Sequence, residues 1–269
     1  MCISRDRMDF DSMRVERLKL LEEYIREKEV ATTTDIANHF QTSINTTRRD
    51  IISLIEKGGY KKVYGGIAVQ EPEAEAAPFV QRKSVNLQEK QSIGALAATL
   101  VNDNMVVFLD SGSTTPHILE GLSLKKNITI VSYSLSVLHE AAKYPSLNII
   151  GLGGFFNHKT QSFSGHNVTD ELSHLNIHIV FMSATCVSVQ YGLSNFSFQE
   201  AEIKQSVVKY CSNIVLLADH SKFGLVGIRS YLPLKALSGI VTDQCPPAEF
   251  LPVIRENNIN LLYPNQPMP

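Results

Sequence analysis

At 269 residues the chain is long enough for two domains, and 43% hydrophobic with 19% charged residues argues against a disordered chain. A formal net charge of −2 argues against wholesale coating of nucleic acid, so any DNA contact must come from a local basic patch. Cys2, Cys186, Cys211 and Cys245 are widely spaced with no Cys-x-x-Cys pair, which disfavours a disulfide framework or structural zinc and points to a reducing cytoplasm.

Residues 1–13, MCISRDRMDFDSM, are charged and lack the apolar core of a signal peptide, so they read as a disordered tail or a start-site artefact. No apolar run approaches the roughly 20 residues a membrane span needs, and no membrane contact is expected. A first helix is predicted over about 14–28, with Val15, Leu18, Leu21 and Ile25 on one face. A second begins with Thr33 or Thr34 as N-cap and turns Ile36, Ala37 and Phe40 inward. A third has Ser43 as N-cap and buries Ile51, Leu54 and Ile55, leaving Asn45, Thr46, Arg48 and Arg49 outward. It ends at Gly58-Gly59, after which Tyr60 to Val69 alternates and turns at Gly65-Gly66 as a two-stranded wing.

Between Arg48 and Lys62 the basic residues Arg48, Arg49, Lys57, Lys61 and Lys62 face only Asp50 and Glu56. That order predicts an α+β winged helix-turn-helix over 14–70, which places one helix in the DNA major groove. Its expected DNA-binding residues are Ser43, Asn45, Thr46, Arg48 and Arg49 on the helix and Lys61 and Lys62 on the wing. Double-stranded operator DNA is the expected partner, read by at least a dimer, because one recognition helix gives too little specificity.

An acidic, alanine-rich stretch, EPEAEAAP, marks a linker over 71–80. Residues 81–269 then alternate strands and helices and form the expected effector and oligomerisation domain. Apolar runs at Met105–Leu109, Ile128–Val131, Leu147–Leu152, Ile177–Met182, Ile214–Ala218 and Ile240–Val241 are separated mostly by helical stretches such as Gln88–Val101, Ser134–Lys143 and Gln199–Tyr210. This is the pattern of an α/β domain with a largely parallel sheet, whose ligands bind beyond the carboxyl ends of the strands.

Polar loops follow those strands. Asp110-Ser-Gly-Ser-Thr-Thr115 combines a glycine with hydroxyls ahead of a helix, and reads equally as a phosphate cradle or as a capped turn. Ser132-Tyr-Ser-Leu135, Gly151-Leu-Gly-Gly154 and Asp219-His-Ser-Lys-Phe223 follow later strands. One shared pocket for a hydroxylated, anionic small molecule explains these loops better than separate turns do. His174 and His178 are i, i+4, but a strand entry between them breaks metal geometry, so solvated loop histidines are favoured over a metal. Cys186 has no evident base partner and reads as a small buried residue. No cofactor is implied.

From about residue 14 to 263 the chain resembles the DeoR family of bacterial sugar-metabolism repressors. The marks are Thr46-Thr-Arg-Arg-Asp50, Val63-Tyr-Gly-Gly66, the 110–115 and 151–154 loops, Glu200-Ala-Glu-Ile-Lys204 and Asp219-His-Ser-Lys-Phe223. The resemblance implies a C-terminal fold related to ribose-5-phosphate isomerase and coenzyme A transferases, used to sense a phosphorylated sugar. The implied effector residues are Asp110, Ser111, Gly112, Ser113, Thr114, Thr115, Ser134, Gly153, Gly154, Glu200, Lys204, Asp219 and Lys222, with Tyr133, Leu135 and Ser183 beside them. Tyr133-Ser-Leu135, the Thr-Thr-Pro116 ending and Asp219 to Gly224 resemble repressors of deoxyribonucleoside operons within the family, which implies deoxyribose 5-phosphate.

The chain departs from the family pattern at Ser183-Ala-Thr185, where Gly-Ala-Asp is common, and at Ile44, Thr47 and Tyr64 in the DNA head. The expected function is a repressor released by a sugar phosphate. The alternatives are a sugar-phosphate isomerase fused to a DNA-binding head, or a DNA-binding protein whose large domain only oligomerises.

Overall fold

The computed structural model describes residues 17–25, 28, 30–57, 60–63, 65–69 and 77–264. The expected tail over 1–13, the ends of the first helix, Gly58-Gly59, Tyr64 and residues 71–76 of the expected linker lie outside the described residues. The chain divides into two compact units, 1–73 and 74–269.

In the first unit α1 (17–25) is followed by β1 (Val30–Thr32), α2 (Thr33–His39), α3 (Ile44–Lys57), β2 (Tyr60–Val63) and β3 (Gly66–Val69). Leu21, Ile25, Ile36, Ile51, Leu54, Tyr60 and Ile67 make its core. The wing is three-stranded, in the order β1-β3-β2, not the two-stranded hairpin expected. Val30–Thr32 joins because Gly66 has no side chain: a Cβ there would strike the backbone of Ala31 and Thr32. The cap of α2 also differs. Thr32, rather than Thr33 or Thr34, accepts the Asp35 N–H at 3.1 Å, while the Thr33 hydroxyl donates to the Gly65 carbonyl at 2.9 Å and ties the helix to the wing turn.

The second unit opens with α4 (Phe79–Ser84), which starts inside the stretch read as linker. Phe79 is buried, and its N–H donates to the Lys159 carbonyl at 2.9 Å. Next come α5 (Leu87–Ala98), β4 (Val106–Leu109), α6 (Leu119–Leu122), β5 (Ile128–Ser132), α7 (Leu135–Ala141) and β6 (Leu147–Gly151). A hairpin of β7 (Phe155–Asn157) and β8 (Ser162–Ser164) leads to α8 (His166–Leu172), β9 (Ile179–Ser183), β10 (Cys186–Ser188) and β11 (Gly192–Asn195). α9 (Phe198–Lys209), β12 (Ile214–Leu217), β13 (Arg229–Leu232), β14 (Gly239–Val241), α10 (Leu251–Glu256) and β15 (Asn260–Leu262) complete it.

Seven strands form one parallel sheet in the order β15-β14-β12-β9-β4-β5-β6. The apolar runs of the central strands have this fate because both sheet faces are buried there, whereas the edge strand β6 buries only Leu147. Along β4, Phe108 enters one core cluster while Val107 and Leu109 enter the other. β10, β11 and β13 form a separate antiparallel sheet beyond the carboxyl ends of the main one. These short strands and β15 carry little apolar alternation and went unread.

Candidate functional site

On α3, Asn45, Arg48 and Arg49 are exposed at i, i+3 and i+4, so they share one face. Ile52, unremarked in the sequence, continues that face at 54% exposure. Ser43 caps the helix: its Oγ accepts the Thr46 N–H at 3.1 Å, and its hydroxyl pairs with that of Thr46 at 2.9 Å. Thr47 is buried and donates to the Ser43 carbonyl at 3.1 Å. The helix is held to α1 by Arg17, whose Nε donates to the buried Asp50 at 2.7 Å and whose Nη2 donates at 3.2 Å. Asp50 therefore belongs to the scaffold and does not oppose the basic patch. Lys62 is exposed on β2, and Lys61 precedes it on the same strand.

The loops after β4, β5 and β9 meet around Asp110. Its side chain is wholly buried, and Oδ1 accepts from the Tyr133 hydroxyl at 2.5 Å. Oδ2 accepts from the Ser183 N–H at 2.8 Å, the Ser183 hydroxyl at 2.7 Å and the Lys204 ammonium. Lys204, 1% exposed, reaches in from α9 and also donates to the Ser183 carbonyl at 2.7 Å. Burial opposes ionisation of Asp110, but the Lys204 ammonium and the hydrogen bonds outweigh it and hold the carboxyl below its ordinary range.

Ser111 donates to the Tyr133 hydroxyl at 3.0 Å, and Thr115 folds back onto the Asp110 carbonyl at 2.7 Å. Gly112 packs so closely on Ser183 that a Cβ there would overlap its side chain. Asp110, Ser111, Tyr133, Ser183 and Lys204 thus form a self-satisfied floor, with Ser113 and Thr114 also buried beside it.

Glu200, on the same helix as Lys204, lines a cavity of about 240 Å³ together with Arg82, Asn157, Lys159, Thr160 and Ser197. Burial pushes the Glu200 carboxyl up, against the pull of Lys204 and Arg82. Burial likewise disfavours the Arg82 cation, against Glu200 and Asp110. A second cluster gathers at the end of β12. Asp219, 1% exposed, accepts from Asn86 Nδ2 and the Ser221 N–H, both at 3.1 Å. Nearby, Lys90 donates to the carbonyls of Arg82 at 2.5 Å and Val85 at 2.6 Å, and burial pushes its ammonium down to about 8. Lys222 contributes favourable charge to Asp219.

The remaining expected residues are not drawn into these clusters. Ser134 N-caps α7, Leu135 is 39% exposed on its first turn, and Gly153 and Gly154 are exposed in the turn between β6 and β7. Sequence reading missed Arg82, Lys90 and Lys159, basic residues with no motif around them. His178 Nδ1 accepts the Val106 N–H at 2.9 Å and His174 Nδ1 lies 3.0 Å from the Asp170 carbonyl, so each imidazole has a structural partner. Among the described residues no helix is long and apolar enough to cross a membrane.

Residues 17–73 match the DeoR-like helix-turn-helix domain and 85–244 the DeoR C terminal sensor domain. The HTH-type transcriptional regulator IolR of Bacillus subtilis is 37% identical over 93% of this chain and 99% of its own. The deoxyribose operon repressor of Escherichia coli is 30% identical over 94% of this chain and 100% of its own. Among solved structures, ribose 5-phosphate isomerase A from Methanocaldococcus jannaschii aligns with a TM-score of 0.38 and 20% identity over 51% of this chain and 55% of that chain, too remote to bear on activity. With a DNA-reading unit and a sensor unit that each match, and relatives named as regulators along nearly the whole chain, the protein belongs to the DeoR family of DNA-binding transcriptional regulators.

Proposed function

We propose that the protein represses a carbohydrate or nucleoside catabolic operon from the cytoplasm, as at least a dimer, and leaves its operator when a phosphorylated sugar binds beyond the strand ends. The carrying observation is the cavity at Glu200. A carboxylate suits sugar hydroxyls, Arg82 and Lys159 suit a phosphate, and Asn157, Thr160 and Ser197 supply further polar contacts. Lys204 and Asp110 act on the cavity through their charges, which Glu200 feels, and not as lining residues. Asp219 and Lys222 sit at the neighbouring strand end. On the DNA side, Arg48 and Arg49 contact bases or phosphates, Asn45 and Thr46 set preference, Lys61 and Lys62 hold the backbone, and Ile52 offers an apolar surface to a thymine methyl.

Against the isomerase alternative stand the relatives named as regulators over nearly the whole chain. Asp110, enclosed by Tyr133, Ser183 and Lys204, is not placed to act as a general base, which leaves Glu200 as the carboxylate in the cavity. The greater identity to IolR than to the deoxyribose operon repressor leaves deoxyribose 5-phosphate one member of the test panel, with no special standing.

Thermal shifts against sugar phosphates and their unphosphorylated parents test the reading, because a ligand of the native state must raise apparent stability. Selective stabilisation by one ester, and operator release by the same ester that Arg82→Ala abolishes, is the expected result. No shift across pentose, hexose and polyol phosphates would overturn the sensor reading.

A further inference from the structure

The two edges of the parallel sheet are protected very differently. β15 is only three residues long and Pro264 follows it closely. β6 is five residues long, reads LNIIG, and contains neither a charge nor a proline. Proteins ordinarily blunt an exposed edge with short strands, charges, prolines or bulges, because its unpaired backbone groups recruit another strand. β6 has none of these devices, and among the described residues no strand pairs with its outer side.

The outward groups can be named. Leu152 donates to the Ser132 carbonyl of β5 at 2.9 Å, so alternation turns Asn148 and Ile150 toward β5 and leaves the N–H and C=O of Ile149 and Gly151 pointing away. Ile149 and Ile150 are 39% and 37% exposed. On the face shared by Ile149 and Gly151, α7 covers the strand through Leu138, which lies 3.2 Å from where a Gly151 Cβ would be. Leu135 and Ala142 continue that helix face at i−3 and i+4 and are exposed. The edge and the helix together form one apolar strip.

We infer that this edge is an interface with a second copy of the chain, whose own β6 runs antiparallel to it about a two-fold axis at Ile149. Under that axis Ile149 exchanges both backbone bonds with its counterpart. Each Gly151 N–H reaches the Leu147 carbonyl of the other copy, while the Leu147 N–H stays with the Tyr144 carbonyl. The strand is thus its own complement, and the two parallel sheets become one continuous sheet. The proposed function contributes only the choice of a second copy as occupant, since reading repeated half-sites requires paired heads. The unpaired edge stands without it.

Sedimentation velocity of the full chain, over a concentration series, tests this with Ile149→Pro and Ile149→Lys. Proline removes only the outward N–H, so the ladder to β5 survives, and lysine places a charge at the axis. Both should halve the mass of the assembly and raise its dissociation constant about 100-fold or more. Affinity for a single DNA half-site should be unchanged, as should stabilisation by a sugar phosphate that stabilises the wild type. If Ile149→Pro fails to fold, Ile149→Lys alone decides. A folded variant whose assembly matches the wild type would overturn the interface while leaving the oligomer reading intact. A wild type that stays monomeric would overturn both.

Discussion

The reading face of α3 and the floor of the sensor site both depend on charge but hold it in opposite ways. Arg48 and Arg49 stand exposed on a helix surface, whereas Asp110 and Lys204 are 0% and 1% exposed and bonded to each other. Exposed cations keep their hydration and cost the fold little, so they remain available to phosphates and bases. Buried charges persist only when paired and hydrogen-bonded. A change on α3 should therefore alter binding and spare stability, while a change at the floor should alter stability first.

The largest expected effect tests the buried side. Lys204→Met leaves the Asp110 carboxylate without its cation, and should destabilise the sensor unit by about 3–5 kcal/mol in urea unfolding. Combining it with Asp110→Asn removes both charges and should recover a large part of that loss. A double variant as unstable as the single would mean that packing, not charge, sets the cost. The pH dependence has a fixed sign. The folded Asp110 carboxyl titrates below its ordinary 3.8, so its stabilisation is complete above the unfolded value and is lost as pH falls through the lower folded one. The Asp110→Asn variant should lose that part of the acid sensitivity.

The same contrast explains what the sequence disclosed. The parallel strands were legible because a strand buried on both faces is an unbroken apolar run, as at Val106–Leu109 and Ile214–Leu217. The strand-end loops were legible because polar residues there interrupt those runs. The reading helix was legible because its apolar positions recur at helical spacing and leave Arg48 and Arg49 on the other side.

What could not be read depends on distance along the chain. Asp110 and Lys204 are 94 positions apart, and nothing local says that they neutralise each other. Arg82, beside an expected linker, reaches the cavity only because α4 is anchored through Phe79 to the Lys159 carbonyl. β1 escaped notice because three residues pairing across a glycine carry no periodic signal.

On the exposed side, Arg48→Ala and Arg49→Ala should each weaken operator binding by about 1–3 kcal/mol in fluorescence anisotropy. Unfolding stability should stay within about 0.5 kcal/mol of the wild type, since neither side chain is buried. Arg17→Met provides the internal contrast within the same unit. It strands Asp50, which is 3% exposed, and should lower the stability of the DNA head before it changes any DNA contact. An arginine on α3 whose loss unfolded the head would erase the distinction between the two regions.

The smallest effect concerns the wing. Lys62 is exposed on β2 and belongs to no helix that could enter a groove, so its natural contact is a phosphate. Each phosphate neutralised releases condensed counterions, so removing one cation should lower the slope of log affinity against log salt by about 1. Lys62→Ala should therefore weaken specific and non-specific DNA by the same factor. An Arg48→Ala change that removes a base contact should instead narrow the gap between the two. Measured together over a salt series, these variants separate a residue that holds DNA from one that reads it. A Lys62→Ala slope equal to the wild type would remove the wing from the DNA interface and leave recognition to α3.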